Sequence, residues 1–196
     1  EYQRIIDRAP CGGNILDIGC GVGNFLDIFD DRWEKFGVEP SDYAHEKAKE
    51  KNIRILPTLQ TIASDFMDVV ILRGTWQHIN FPMQMLVQAT RVLRPGGLLI
   101  FLATPDTDSL VYKIWGNLPM LDPDRNWVVP GGRVLRNILR RLHYTNIETV
   151  KPYLGTPYAS PVLDFGKFVF SLFFGYHYKF AFPGNMMEIY AIKDYS

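Results

Sequence analysis

A chain of 196 residues with 47% hydrophobic and 21% charged side chains can bury one real core and lacks the composition of a disordered protein. Basic and acidic residues cancel at 21 each, which leaves no electrostatic footprint for nucleic acid. The 2 cysteines, Cys11 and Cys20, are too few for a disulfide framework and lack metal-ligand spacing; no metal is expected, and a reducing, cytoplasmic setting is.

The sequence opens on Glu1 and not on Met, within a helical pattern at 2–8, and reads as a fragment of a longer chain. Short β-rich apolar runs then alternate with amphipathic stretches. Strands are expected at 14–18, 35–38, 53–56, 67–72 and 98–103, and helices at 24–30, 41–51 and 83–93. The last helix is stopped by Arg94, Pro95, Gly96 and Gly97. Strict alternation implies crossover units, a parallel sheet and, with right-handed crossovers, helices on both faces. Residues 104–132 read as a loop rich in Asp, Pro, Gly and Trp with a short helix at 110–115. From 133 to 142, Val134, Leu135, Ile138, Leu139 and Leu142 share one helical face, and Arg133, Arg136, Arg140 and Arg141 take the other as a solvated surface. Two further strands are expected at 146–151 and 188–192, separated by an aromatic-rich insertion. No apolar run reaches the roughly 18 residues of a membrane span. The nearest, 165–182, is broken by Lys167, His177 and Lys179.

Asp17-Ile-Gly-Cys-Gly-Val-Gly, between the first strand and the first crossover helix, is the feature that carries chemistry. Gly19, Gly21 and Gly23 permit positive φ and let a ligand approach the backbone. In a doubly wound sheet this turn lies at the carboxyl end of the first strand, where ligands bind. The spacing is G-x-G-x-G and not the G-x-G-x-x-G of dinucleotide binders, and Asp17 is a poor neighbour for pyrophosphate. A carboxylate there suits a cation, and S-adenosylmethionine carries a sulfonium and an ammonium without phosphate. Glu39, ending the second strand before Pro40, offers acceptors for both hydroxyls of a ribose.

These residues resemble the class I S-adenosylmethionine-dependent methyltransferases of the small-molecule type. The resemblance continues through Asp68-Val-Val-Ile-Leu-Arg-Gly-Thr-Trp-Gln-His-Ile and Arg91-Val-Leu-Arg-Pro-Gly-Gly-Leu-Leu, and is loose after Thr104. It implies a single domain over 1–196 with an α/β, Rossmann-like, doubly wound, seven-stranded and mainly parallel sheet, an antiparallel last strand and helices on both faces. Residues 104–132 and 152–183 would be insertions on the acceptor side. By the same resemblance, S-adenosylmethionine is the cofactor. The backbone at Gly19 and Gly21 would meet its methionine portion and Glu39 its ribose. Leu72, Arg73 and Gly74 would line the sulfonium end, and Cys20, Gly23, Asn24, Phe25 and Pro40 complete the pocket. This chain departs from the family in having Pro57-Thr-Leu-Gln-Thr where an Asp commonly binds adenine, so backbone near Leu59 and Gln60 would serve, and in having Gln77 where Glu is common.

Methyl transfer to a small-molecule acceptor, a hydroxyl or amine on a quinone, sugar or lipid-like compound, is the expected function. The alternative is a non-catalytic cofactor-binding or interaction domain of the same fold. A base is needed only for a hydroxyl acceptor, and His78 is best placed for it; its plainer role is bracing the next helix. His143 and His177 have no motif behind them. The aromatics of 165–182, including Phe173 and Phe174, imply a large buried payload. They read either as core packing beside the sheet, as a lid over an apolar acceptor, or as peripheral membrane or lipid contact next to the arginines of 133–141.

Overall fold

A computed structural model describes residues 1–118, 120–154, 156, 159–175 and 181–195. In order, the chain forms α1 (Tyr2–Arg8), β1 (Gly13–Ile18), α2 (Asn24–Asp27), β2 (Trp33–Val38), α3 (Asp42–Lys49), β3 (Arg54–Leu56), β4 (Met67–Arg73) and α4 (Pro82–Val92). It continues through β5 (Leu93–Pro105), α5 (Leu110–Trp115), α6 (Gly132–Arg141), β6 (Tyr144–Val150), α7 (Pro161–Phe174) and β7 (Met186–Lys193). Short 3₁₀ turns occupy Leu59–Thr61 and Trp76–His78.

The pleat of the central strands sorts their apolar residues into two cores, because both faces of the sheet are covered. Val70 and Leu72 of β4 and Leu99 and Phe101 of β5 meet Leu86 and Ala89 of α4 and Leu135 and Leu139 of α6. The intervening Val69, Ile71, Ile100 and Leu102 meet Ile5 of α1, Leu26 of α2 and Ala48 of α3. The sheet order is β3-β2-β1-β4-β5-β7-β6, with β7 antiparallel to both of its neighbours and the other pairs parallel. Between β1 and β4 the order reverses, and the loops at their carboxyl ends diverge into a crevice. Arg4 of α1 reaches the buried Glu188 of β7 at 2.6 Å, and the Tyr190 hydroxyl donates to the same carboxylate at 2.6 Å.

Three expectations change. The helix at 24–30 stops at Asp27, since Phe29 leaves it to pack edge-on against Tyr2, Phe25 and Trp33. Residues 93–97 belong to β5, because Leu93 pairs with Met67 across an irregular register. The phenylalanines of α7 are not a buried payload: Phe165, Phe173 and Phe174 are 62%, 79% and 64% exposed. Phe173 and Phe174 are therefore not core packing. Phe168 does turn inward, stacked on Phe182 at 4.7 Å and edge-on to Trp115 at 5.5 Å. Tyr176, His177, Tyr178, Lys179 and Phe180 lie outside the described residues. On α6, Leu135 and Leu139 are buried as expected, while Val134 is 56% exposed. No helix among the described residues is long and apolar enough to cross a membrane.

Candidate active site

The loop after β1 folds back so that the Gly19 N–H donates to the Val38 carbonyl at 2.7 Å, tying β1 to the end of β2. Gly19 and Gly21 both have positive φ, but for different reasons. A Cβ at Gly19 would come within 2.6 Å of the Thr75 side chain, whereas a Cβ at Gly21 would meet nothing within 4 Å. Gly19 is required by packing, and Gly21 leaves an open cradle. Glu39 closes one side of that cradle. Its Oε2 accepts from the Gly21 N–H and its Oε1 from the Ser41 N–H, each at 3.0 Å. A carboxylate has about four lone-pair sites, so both oxygens can still accept from outside. His45 of α3, which sequence reasoning missed, bonds the Glu39 carbonyl through Nε2. Its signal is the helix cap at Ser41, whose side chain accepts from the Ala44 N–H and fixes where α3 starts.

Asp17 lies beneath the loop, almost wholly buried, with Oδ1 lacking a hydrogen-bond partner. Burial pushes its carboxyl up to about 8; Arg73 opposes that rise, and Glu39 and Glu1 add to it. The Cys20 thiol is pushed up to about 12, chiefly by burial and then by Asp17 and Glu39, so it stays protonated as a small packing group.

The other predicted residues divide. Arg73 and Phe25 come together, with the guanidinium 4.9 Å from the ring centroid, and Glu1 accepts from Arg73 Nε at 2.8 Å. No sequence pattern links Glu1 to this site. Gly23 also adopts positive φ and opens α2. The Asn24 amide oxygen is taken by Lys51, which also donates to the Val22 carbonyl at 2.9 Å. Pro40 is exposed beside Glu39. The Leu72 side chain is buried in the core, so only its backbone faces the crevice, followed by Gly74 at φ +63. Leu59 is also core, and its carbonyl accepts from Arg91 at 2.8 Å, which weakens the expected backbone contact there. Gln60 is exposed and lines a cavity of about 720 Å³ with Val38, Pro57, Thr58 and Ile79.

Across the crevice, His78 faces the Arg125 carbonyl through Nδ1 at 3.0 Å. A carbonyl only accepts, so Nδ1 carries the proton, and Nε2 accepts from the Gln77 side-chain amide at 3.4 Å. The Trp127 N–H donates to the Gln77 carbonyl at 2.8 Å, and the loop after β5 thereby rests on the turn after β4. Asp106, missed in the sequence, anchors this loop. Its buried Oδ1 accepts from the N–H groups of Asp108 at 2.8 Å and Gly132 at 2.9 Å. Lys151 approaches Oδ2 at 2.8 Å as an ion pair, off the line of a hydrogen bond. His143 lies in the turn that leads into β6, the strand at one edge of the sheet, and His177 lies outside the described residues.

The profile of one family, described as a methyltransferase domain, matches residues 1–149. The chain belongs to this methyltransferase domain family. The methyltransferase domain is 28% identical over 118 residues to a malonyl-[acyl-carrier protein] O-methyltransferase of a Paenibacillus species, covering 50% of this chain and 43% of that protein. It is 27% identical over 154 residues to a tRNA U34 carboxymethyltransferase of Pseudoalteromonas translucida, covering 70% and 46% respectively. The chain thus spans less than half the length of these curated relatives. Its fold matches a SAM-dependent methyltransferase from Archaeoglobus fulgidus with a TM-score of 0.68 at 16% identity, over 98% of this chain and 91% of that one.

The cofactor of the family is S-adenosylmethionine, and the residues present suit it. Asp17 has a buried carboxyl oxygen without a hydrogen-bond partner, Gly21 leaves room beside the loop, and Glu39 retains acceptor sites.

Proposed function

We propose that the domain transfers a methyl group from S-adenosylmethionine to a small-molecule acceptor through a hydroxyl or amine. The observation that carries this reading is Asp17, a carboxyl group buried at the end of β1 just before the glycine loop, with one oxygen unpartnered. A nearby cation favours its charged form, and a phosphate opposes it. Bound cofactor supplies a methyl group already activated by positive sulfur, so the protein's task is alignment and exclusion of water. Glu39 would hold the ribose hydroxyls, the backbone of Gly19 and Gly21 the methionine portion, and Pro40 and Gln60 the sides of the adenine. The backbone from Leu72 to Gly74 would flank the sulfonium, with Arg73 and Phe25 closing that end. For a hydroxyl acceptor the proton has to leave, and the His78 Nε2 lone pair, once the acceptor displaces the Gln77 amide that donates to it at 3.4 Å, would receive it.

On this reading residues 104–132 and 152–183 form the acceptor side. The joining of Trp115 with Phe168 and Phe182 supports an acceptor that is partly apolar. The balanced charge supports a small molecule over tRNA.

Calorimetric titration with S-adenosylmethionine and with NAD tests the cofactor assignment. Micromolar binding of the first and none of the second is expected, with Glu39→Ala weakening the first by about 1.5–3 kcal/mol, the scale of a hydrogen bond to a charged group. Tight NAD binding without S-adenosylmethionine binding would sink the reading. A labelled-methyl screen over hydroxyl, amine and lipid acceptors, with acyl-carrier protein and tRNA included, then tests the acceptor class. Labelling of tRNA alone would overturn the small-molecule assignment.

A further inference from the structure

Arg73 ends β4 beside the glycine loop. Asp17 stands level with Ile71 where β1 pairs with β4, so two residues further on Arg73 stands level with Gly19. The Arg73 guanidinium lies 4.9 Å from the Phe25 ring centroid, and its Nε donates to Glu1 Oε2 at 2.8 Å. A guanidinium is a planar fork of N–H donors, and Nη1 and Nη2 have no hydrogen-bond acceptor among the described residues. The side chain keeps 43% of its surface in water, so a ligand in the crevice can reach it. It is also close enough to Asp17 to draw that carboxyl down against the rise that burial causes.

The contact with Glu1 does little to fasten α1. An ion pair this open to water contributes little stability, and α1 is already fixed elsewhere. Ile5 is wholly buried, and Arg4 grips both oxygens of the Glu188 carboxylate, through Nε at 2.8 Å and Nη2 at 2.6 Å. Glu1 is the N-cap residue of α1, yet its carboxylate makes no bond to its own helix and turns to Arg73 instead. A carboxylate is thus seated on a guanidinium at the same end of the loop as the buried Asp17 carboxyl. An α-amino acid group carries an ammonium and a carboxylate on one carbon, and is matched by an acid and a fork of donors side by side. Asp17 and Arg73 are that combination. Lys51, the cation on the other flank of the loop, is taken by the Val22 carbonyl and Asn24.

We propose that Arg73 receives the carboxylate at the amino-acid end of S-adenosylmethionine, and that Glu1 is an internal competitor for the same guanidinium. This assignment rests on the S-adenosylmethionine reading above. The test is calorimetric titration of wild type, Arg73→Gln and Glu1→Gln with S-adenosylmethionine and with decarboxylated S-adenosylmethionine, which keeps the sulfonium and the ammonium and lacks only the carboxylate. Wild type should bind the intact donor at least about tenfold more tightly, the scale of a hydrogen bond to a charged group. Arg73→Gln should lose at least about tenfold for the intact donor and nothing for the decarboxylated one, whose binding shows that the variant is folded. Glu1→Gln should gain about two- to fivefold for the intact donor alone, the strength of an exposed ion pair removed from competition. Equal binding of the two donors by wild type would overturn the proposal, as would an Arg73→Gln variant that weakens both alike. A Glu1→Gln variant with no gain for the intact donor would overturn the competitor role. Wild type that binds neither donor would overturn the cofactor reading as well.

Discussion

Asp17→Asn should make the cofactor-free domain more stable at neutral pH while impairing cofactor binding. Burial lifts the Asp17 carboxyl from its ordinary 3.8 to about 8. Between those values the folded protein keeps a proton that the unfolded chain has lost, so stability falls as pH rises across that window. At pH 7 the cost is roughly 4 kcal/mol if the carboxyl stays dry, and about 2 kcal/mol if water entering by the Gly21 opening halves the effect. Asparagine never ionises and does not carry that cost. At about 2–4 °C per kcal/mol for a domain of this size, its melting temperature at pH 7 should rise by about 4–16 °C. Thermal unfolding of both proteins from pH 4 to pH 8 without cofactor checks this: the difference should be absent at pH 4 and grow toward pH 7. Added S-adenosylmethionine should raise the melting temperature of wild type far more than that of the variant, because only wild type offers the cation a carboxylate. A gap that is the same at every pH, or a variant less stable at pH 7, would refute the assignment of Asp17 as a carboxyl that burial keeps protonated.

The two loop glycines should separate in the same assays. Gly21→Ala meets no atom in the fold, so it should cost only about 1 kcal/mol of backbone strain in stability, yet lower cofactor affinity at least about tenfold. Gly19→Ala drives a methyl group against Thr75 and should cost about 3 kcal/mol or more of stability, read by denaturant unfolding. Once a hydroxyl acceptor is in hand, His78→Gln should lower kcat about a hundredfold with cofactor affinity unchanged, and unaltered turnover would leave His78 as the brace of the Arg125 loop.

What was legible in the sequence was whatever local spacing dictates. Positive φ at Gly19, Gly21 and Gly23 follows from a tight strand-to-helix turn, and Glu39 is placed by the end of the second strand. The alternation of strands and helices was enough for the parallel sheet, since only crossovers can join such elements. Contacts between distant positions were not legible, because each needs the three-dimensional neighbourhood. Lys51 takes Asn24, Arg91 takes the Leu59 carbonyl, Glu1 holds Arg73, and Lys151 pairs with Asp106. The same limit applies to α7. Its composition announces an apolar helix, but periodicity only divides a helix into faces. Which face turns inward is set by the partners on offer, and here Tyr153 and the Ser160 backbone hold Asp164 inside and leave Phe173 and Phe174 in water. The glycine turn and the placing of Glu39 beside it were therefore written in the sequence, and the outward apolar face of α7 was decided by tertiary packing alone.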